Sequence, residues 1–374
     1  MAEDKITRRR FVRQSATAAA SVAVAASAVS GGESPPVEKT RSHNENMEYR
    51  PLGKTGLMIS AISLGGHWKK VPFRYGSEEF KKNRREVISA CIDHGINYVD
   101  ACCGSEVLTY SEALRGRRDK IYLGFSYCEH EMRHDDWQTA EKLTEALDEL
   151  MGRAKLEYVD FWRPTCYWKP STDHTVAQEE EMIAALDKAQ KAGKVRFTGM
   201  STHKHSWAIR MIQTYPKHIQ AIVLPYTAGS KKAHARVDTG NTNYKVVPKE
   251  ESLFDASMVS LIDVVNQSKV GWIGIKPFAS GSVFKSRGMP DSPTKEEDDE
   301  RARLTLRYVL CNEALTCTIP GLVTVDQVEN AAKAVKQRRE LDMEETAKLN
   351  EAVEQMWANL PHGYQWLKEE WEYV

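Results

Sequence analysis

The feature that most restricts this chain is an alternation. Short apolar runs of strand length are separated by longer stretches whose apolar residues recur at helical spacing. The runs are Ala61-Ile62-Ser63-Leu64, Ile96–Ala101, Lys120–Phe125, Tyr158–Trp162, Val195–Met200, Ala221–Leu224, Gly271–Ile275 and Thr316–Ile319. The helical stretches are Ser77–His94, Trp137–Leu156, Val176–Ala192, Ser206–Tyr215, Phe254–Gln267, Arg301–Asn312 and Val325–Lys336, with a weaker one at Glu106–Gly116. Parallel strands need a crossover between them, so strands that alternate with helices predict a parallel sheet. Eight such units predict the α/β class and a closed (β/α)8 TIM barrel, with an N-terminal β-hairpin before the first strand. An open doubly wound sheet competes, but no G-x-G-x-x-G follows any strand. An extra C-terminal helix is expected at Met343–Met356, then a tail with Trp357, Tyr364, Trp366 and Trp371 that packs on the barrel. Two long connections, Thr227–Leu253 and Val283–Glu300, follow strands six and seven and fall on the face where barrel active sites form. The charge run Lys295–Glu300 reads as a solvated loop, and Glu179-Glu180-Glu181 as an exposed first helical turn.

The barrel begins near Met47, and what precedes it has another character. Thr7-Arg8-Arg9-Arg10-Phe11-Val12-Arg13 leads into a soft apolar run, Ala16–Val29, with a small-x-small site at Ala26-Ser27-Ala28. A charged start, an apolar middle and a small-residue end make an export signal. The paired arginines before Phe11 resemble the twin-arginine signal, which implies the twin-arginine export machinery as a partner and a periplasmic or other extracytoplasmic destination. The expected organisation is therefore a signal over 1–28, a disordered linker over 29–46 and a barrel over 47–374. Lysine plus arginine and aspartate plus glutamate are 52 each, so no global field draws nucleic acid. No apolar run reaches the roughly 18 residues of a membrane span, so no transmembrane segment is expected in the mature form.

Several segments resemble the aldo-keto reductases. They are Tyr49-Arg50-Pro51-Leu52-Gly53-Lys54-Thr55-Gly56, Ser63-Leu64-Gly65-Gly66, Gly95-Ile96-Asn97-Tyr98-Val99-Asp100, Gly193-Lys194-Val195-Arg196 with Gly199-Met200-Ser201, Lys276–Gly281 and Ile319-Pro320-Gly321. The resemblance implies hydride transfer between NAD(P)H and a small carbonyl or sugar-like substrate, with a tyrosine giving the proton. Of the family's catalytic set this chain keeps Asp100. Cys103 takes the place of the tyrosine, Ser126 that of the lysine and Thr165 that of the histidine, with Tyr110 nearby as a displaced acid. A proton relay of altered chemistry follows from that. For the cofactor, NADP or NAD, the resemblance implies Ser201, Thr202 and Gln220 at the carboxamide and Lys276, Ser280 and Gly281 at the pyrophosphate. Gln327 and Asn330, or Glu329 with Asn330, fall at the adenosine. With no arginine there, discrimination for the 2′-phosphate is expected to be poor.

Cysteines and histidines crowd the strand ends. Cys102, Cys103, Cys128 and Cys166 follow strands two to four, and His67, His130, His203 and His205 lie near the same rim. They read as small buried hydrophobes, as soft-metal ligands or as a reactive thiol; Cys91, Cys311 and Cys317 belong to the core. No structural-zinc spacing is present, so no metal ligand is assigned. Two alternatives to the reductase thus stand: a different enzyme with a Cys/His, possibly metal, site on the same barrel, or a non-catalytic binding protein.

Overall fold

The computed structural model describes residues 36–66, 71–166, 174–233, 260–337 and 339–374. The export signal, His67 and most of the Thr227–Leu253 connection lie outside them. Two short strands, β1 (Tyr49–Pro51) and β2 (Met58–Ser60), form the expected antiparallel hairpin. Seven parallel strands follow in chain order as neighbours: β3 (Tyr98–Ala101), β4 (Tyr122–Phe125), β5 (Val159–Trp162), β6 (Val195–Ser201), β7 (Ala221–Pro225), β8 (Gly271–Ile275) and β9 (Cys317–Ile319).

Residues 61–64 close the ring. Ile62 bridges Thr318 on one side and Leu64 bridges Val99 on the other. Ser63 N–H donates to Thr318 C=O at 2.9 Å, and Leu64 N–H to Tyr98 C=O at 3.0 Å. This segment is the eighth strand of a (β/α)8 barrel.

Ten helices among the described residues accompany the strands: α1 (Glu78–Asp93), α2 (Gly104–Ala113), α3 (Ala140–Ala154), α4 (Val176–Lys191), α5 (His205–Thr214), α6 (Leu261–Ser268), α7 (Lys295–Leu310), α8 (Val325–Lys336), α9 (Met343–Ala358) and α10 (Trp366–Trp371). Their starts are chemically marked. Ser77, Thr139 and Thr324 accept from the third helical N–H, and Thr175 with Gln178 and Asp342 with Glu345 make reciprocal capping boxes. Apolar side chains fall into two compartments. Tyr98, Tyr122, Phe161, Val223, Ile273 and Cys317 fill the lumen with Leu52, Leu57 and Ile59 of the hairpin region, and a larger shell lies between strands and helices. The hairpin is therefore the floor of the barrel. Gly53 has φ +54° there, and a Cβ on it would stand 2.8 Å from Gln220 O, so glycine is needed on both grounds.

Three expectations are corrected. The stretch 36–46, read as disordered linker, is ordered from Pro36 against the floor. Thr40 Oγ1 donates to Met58 C=O at 2.7 Å, and Arg41 Nη1 to Ile121 C=O at 2.7 Å and to Asp160 at 3.2 Å. The run Lys295–Glu300 is helix rather than loop: Glu296, Glu297 and Asp298 occupy the first turn of α7, favourable at its positive end. Asp298 also holds the preceding loop, accepting from Lys285 N–H at 2.7 Å and Ser286 Oγ at 2.5 Å. Glu179 is buried rather than exposed, bound by Arg210 and by Trp207 Nε1 at 2.8 Å.

Asp160 ties the floor together. Its buried carboxylate accepts from Arg41, from Arg118 at 2.6 Å, from Arg196 at 2.7 Å and from Leu123 N–H at 3.0 Å. Burial would raise its pKa, but Arg118 and Arg41 outweigh burial and hold it below the usual aspartate value. Its contribution to stability is therefore present above pH ~4 and lost as pH falls through the lowered value. Asp160→Asn should cost about 2–4 kcal/mol in urea unfolding at neutral pH, and the gap from wild type should narrow in acid.

Candidate active site

A cavity of about 860 Å³ opens at the C-terminal ends of the strands. At its inner end lies a buried ion pair. The guanidinium of Arg163, one residue past β5, meets Asp100 of β3 through both ends: Nε donates to Oδ1 at 3.2 Å and Nη2 donates to Oδ2. The Tyr98 hydroxyl adds a third bond to Oδ1 at 2.9 Å. Gly124 on β4 makes room for it, since a Cβ there would overlap the Tyr98 hydroxyl and come within 2.8 Å of Asp100 Oδ1. Burial alone would lower the Arg163 pKa, but Asp100 reverses this and holds it well above its usual value. An arginine here is a fixed cation and not a proton donor.

Arg163 Nη1 also donates to Thr165 Oγ1 at 3.4 Å. Behind Thr165 stand Ser126, at 2.8 Å, and the buried carboxyl of Glu131. The cavity runs from this corner past Ser201 and Thr202, along the loop Lys276–Gly281, to the start of α8. In that loop Lys276, Ala279 and Ser280 have positive φ (59°, 44° and 61°), a turn that L side chains adopt at a cost. The tail closes one side. Lys276 Nζ lies 5.2 Å from the Tyr364 ring and 5.7 Å from Trp366, and Trp366 stacks on His203 at 4.0 Å.

Of the residues expected at the site, Asp100, Thr165, Ser201, Thr202, Lys276, Ser280, Gly281, Gln327 and Asn330 line this cavity. Ser126 sits one layer behind, fully buried. Four others do not face it. Tyr110 points into the core and gives its proton to Gly65 C=O at 2.6 Å, so it is no displaced acid. Cys103 is the residue before the first turn of α2, its sulfur lies 3.2 Å from Ser105 Oγ, and burial pushes its thiol up to about 12; Cys102, not Cys103, reaches the cavity. Gln220 precedes β7 at the floor, where its side chain accepts from Thr198 N–H at 3.0 Å, far from any carboxamide site. Glu329 is exposed on α8 outside the cavity.

The thiol and imidazole rim is dispersed. Among the described residues no three potential ligands gather at one point. His130 stacks on Trp137 at 4.2 Å, and burial pushes the pKa of His205, against Trp371, down to about 4. Cys166 is enclosed with its thiol well above the usual range, again through burial.

Sequence reasoning missed Arg163 and Glu131. Arg163 had a signal, a cation closing the strand run Val159–Trp162 just before Pro164. Glu131 had none, because it lies in a polar loop rich in charge.

A scan against family models matches residues 61–354 to the aldo/keto reductase family. The chain belongs to that family. It is 25% identical to L-galactose dehydrogenase of Arabidopsis thaliana over 80% of this chain and 91% of that one. It is 21% identical to an L-glyceraldehyde 3-phosphate reductase of Escherichia coli O157:H7, over 77% and 88% respectively. The fold is shared with an aldo-keto reductase of Bacillus halodurans in holo form (TM-score 0.57, 19% identity, 82% of this chain and 96% of that one). It is also shared with one from Klebsiella pneumoniae in complex with NADPH (TM-score 0.55, 18% identity, 82% and 94%). Membership makes the chain an oxidoreductase of the NAD(P)H-dependent class.

The lining fits a dinucleotide. Its walls carry the Lys276 and Arg287 cations and the polar Gln327 and Asn330.

Arg163→Ala strands the Asp100 carboxylate in the barrel and should cost about 3–5 kcal/mol in urea unfolding. The double variant Arg163→Met, Asp100→Leu should recover most of that loss, since an apolar pair needs no partner. Full stability in the single variant would show that water reaches Asp100.

Proposed function

We propose that the protein is an exported NAD(P)H-dependent oxidoreductase acting on the carbonyl or hydroxyl carbon of a small sugar-like substrate, with a proton relay unlike the family's. One observation carries the reading: the cavity joins the buried Asp100–Arg163 pair to a loop and helix start suited to a dinucleotide. The bound cofactor supplies or accepts a hydride. Ser201 and Thr202 would hold its carboxamide, Lys276, Ser280 and Gly281 its phosphates, and Gln327 and Asn330 its adenosine.

The chain's own residues supply the remaining chemistry. Arg163, kept cationic and oriented by Asp100, stabilises negative charge on a substrate oxygen in a site where water screens little. The Thr165 hydroxyl stands beside it on the cavity wall, 3.4 Å from Nη1. Arg133 and His203 offer polar contacts to a polyhydroxylated ligand, and Tyr364 and Trp366 an apolar wall. The sugar-like class is supported by the names of relatives, which include the L-galactose dehydrogenase and a 6-dehydroglucose reductase of Novosphingobium aromaticivorans, 26% identical over 41% of this chain.

Titration of the folded chain with NADH and NADPH should quench tryptophan fluorescence saturably, since Trp366 lines the cavity. Oxidation of L-galactose with NAD or NADP, or reduction of glyceraldehyde with the reduced forms, should then appear at 340 nm, roughly where reduced nicotinamide absorbs. No quenching with either dinucleotide would sink the oxidoreductase reading. Export rests on residues 7–29. Arg8→Lys with Arg9→Lys should leave the protein in the cytoplasmic fraction, and unchanged periplasmic recovery would refute the twin-arginine route.

A further inference from the structure

One buried acid is not used above. Glu131, in the turn after β4, is enclosed by protein, and four donors meet its two oxygens. Oε1 accepts from Tyr127 N–H at 2.8 Å and Trp162 Nε1 at 3.1 Å; Oε2 accepts from Thr165 N–H at 2.8 Å and from Ser126 Oγ at 2.5 Å. Ser126 Oγ is in turn 2.8 Å from Thr165 Oγ1, and Thr165 lines the active cavity. Three groups thus stand in series from the cavity wall to an enclosed carboxyl, each within hydrogen-bond reach of the next.

A hydroxyl both donates and accepts, so this series has two polarities. With Glu131 ionised, Ser126 donates to Glu131, Thr165 donates to Ser126, and Thr165 turns lone pairs toward the cavity and Arg163. With Glu131 protonated, every bond reverses and the Thr165 proton faces the cavity. The two arrangements differ by one proton and need no movement of heavy atoms.

We propose that Glu131, acting through Ser126 and Thr165, stores the proton delivered to the substrate oxygen when the carbonyl is reduced. The proposal rests on the oxidoreductase reading of the same cavity. In the reduction, the hydride brings an electron pair that forms the new C–H bond at the carbonyl carbon. The C=O π pair moves onto oxygen, which Arg163 stabilises. That oxygen takes the Thr165 proton, Thr165 takes that of Ser126, and Ser126 takes that of Glu131, leaving a carboxylate that one proton from water restores. Oxidation of an alcohol runs the same series in reverse. All electrons come from the reduced dinucleotide, and the relay moves protons only.

The surroundings suit a store. Burial pushes the Glu131 carboxyl above the ordinary carboxylate range, opposed by its bonds from Ser126, Tyr127, Thr165 and Trp162. From β5 and the residues after it, the indole of Trp162, the Arg163 guanidinium and the thiol of Cys166 face this corner, and the residues just after β4 present Ser126 and the Tyr127 backbone. Two cations lie near: Arg163, matched by Asp100, and Arg133, which lines the same cavity and gives its backbone N–H to Thr165 C=O at 3.0 Å.

The test uses the full chain and two variants. Glu131→Gln removes the stored proton. Ser126→Ala cuts the series while leaving Glu131 its three N–H donors, so it serves if the first variant folds poorly. Infrared titration between about pH 5 and pH 8 should show a protonated-carboxyl band that persists above the ordinary carboxylate range and is absent from Glu131→Gln. Single-turnover reduction of glyceraldehyde should fall as pH rises through that titration in wild type. In Ser126→Ala it should drop by about 100-fold with a flat pH profile, while dinucleotide quenching is unchanged. A Ser126→Ala variant with the wild-type rate and pH profile, or a Glu131 ionised across the whole range, overturns the relay alone. A wild type that binds neither dinucleotide overturns the reading beneath it and the relay with it. With glyceraldehyde inert, the infrared titration decides by itself.

Discussion

Two opposite charges taken out of water at the mouth of a barrel impose conditions on everything around them. The attraction between Asp100 and Arg163 offsets their desolvation only if geometry is good and the remaining lone pairs and N–H groups find partners. The structure meets this through three different strands. β3 supplies Tyr98, whose hydroxyl bonds Asp100; β4 supplies Gly124, whose missing side chain leaves that hydroxyl its space; and the extension of β5 supplies Thr165 to Arg163. A change at any of these positions reaches the ion pair, so the floor-to-mouth register of three neighbouring strands is bound to the chemistry of the site.

The architecture was readable because it is a matter of period. Eight apolar runs separated by amphipathic stretches allow few arrangements, and the capping residues Ser77, Thr139, Thr175, Thr324 and Asp342 mark helix starts in the chain itself. Legibility failed where a side chain's direction or a distant partner decides. Cys102 and Cys103 are adjacent, and only the twist at the end of β3 determines which one reaches the cavity. Gln220 looks like a site residue by spacing, yet it lies before its strand and so at the wrong end of the barrel. Residues 36–46 carry the polar composition of a linker, but the carboxylate that orders them is Asp160, more than a hundred residues away. Glu131 is the clearest case: its loop is charged and unpatterned, and its burial comes from Ser126, Trp162 and Thr165 on two different strands.

Relative to the family's usual chemistry, the change here is one of kind. A lysine can hold or release a proton near its partners, whereas an arginine cannot, so placing Arg163 against Asp100 leaves positive charge at the site and removes proton transfer from it. The acidic function then has to reside elsewhere, and the hydroxyls of Thr165 and Ser126 connect the cavity to the buried carboxyl of Glu131. Charge stabilisation and proton supply are separated into two sets of residues that touch only at Thr165.

The ring is closed by segments that stand at opposite ends of the barrel sequence: Ile62 meets Thr318. Among the described residues the other pairings within the barrel join strands adjacent in the chain, so this one carries the largest loss of chain entropy in the ring and is its natural last event in assembly. Until it forms, a nearly finished barrel is an open sheet with two free edges, at 61–64 and at β9, each able to pair with another molecule. The time spent in that state is the interval in which one molecule can pair with another, so closure of the ring bears on yield at high concentration as well as on stability.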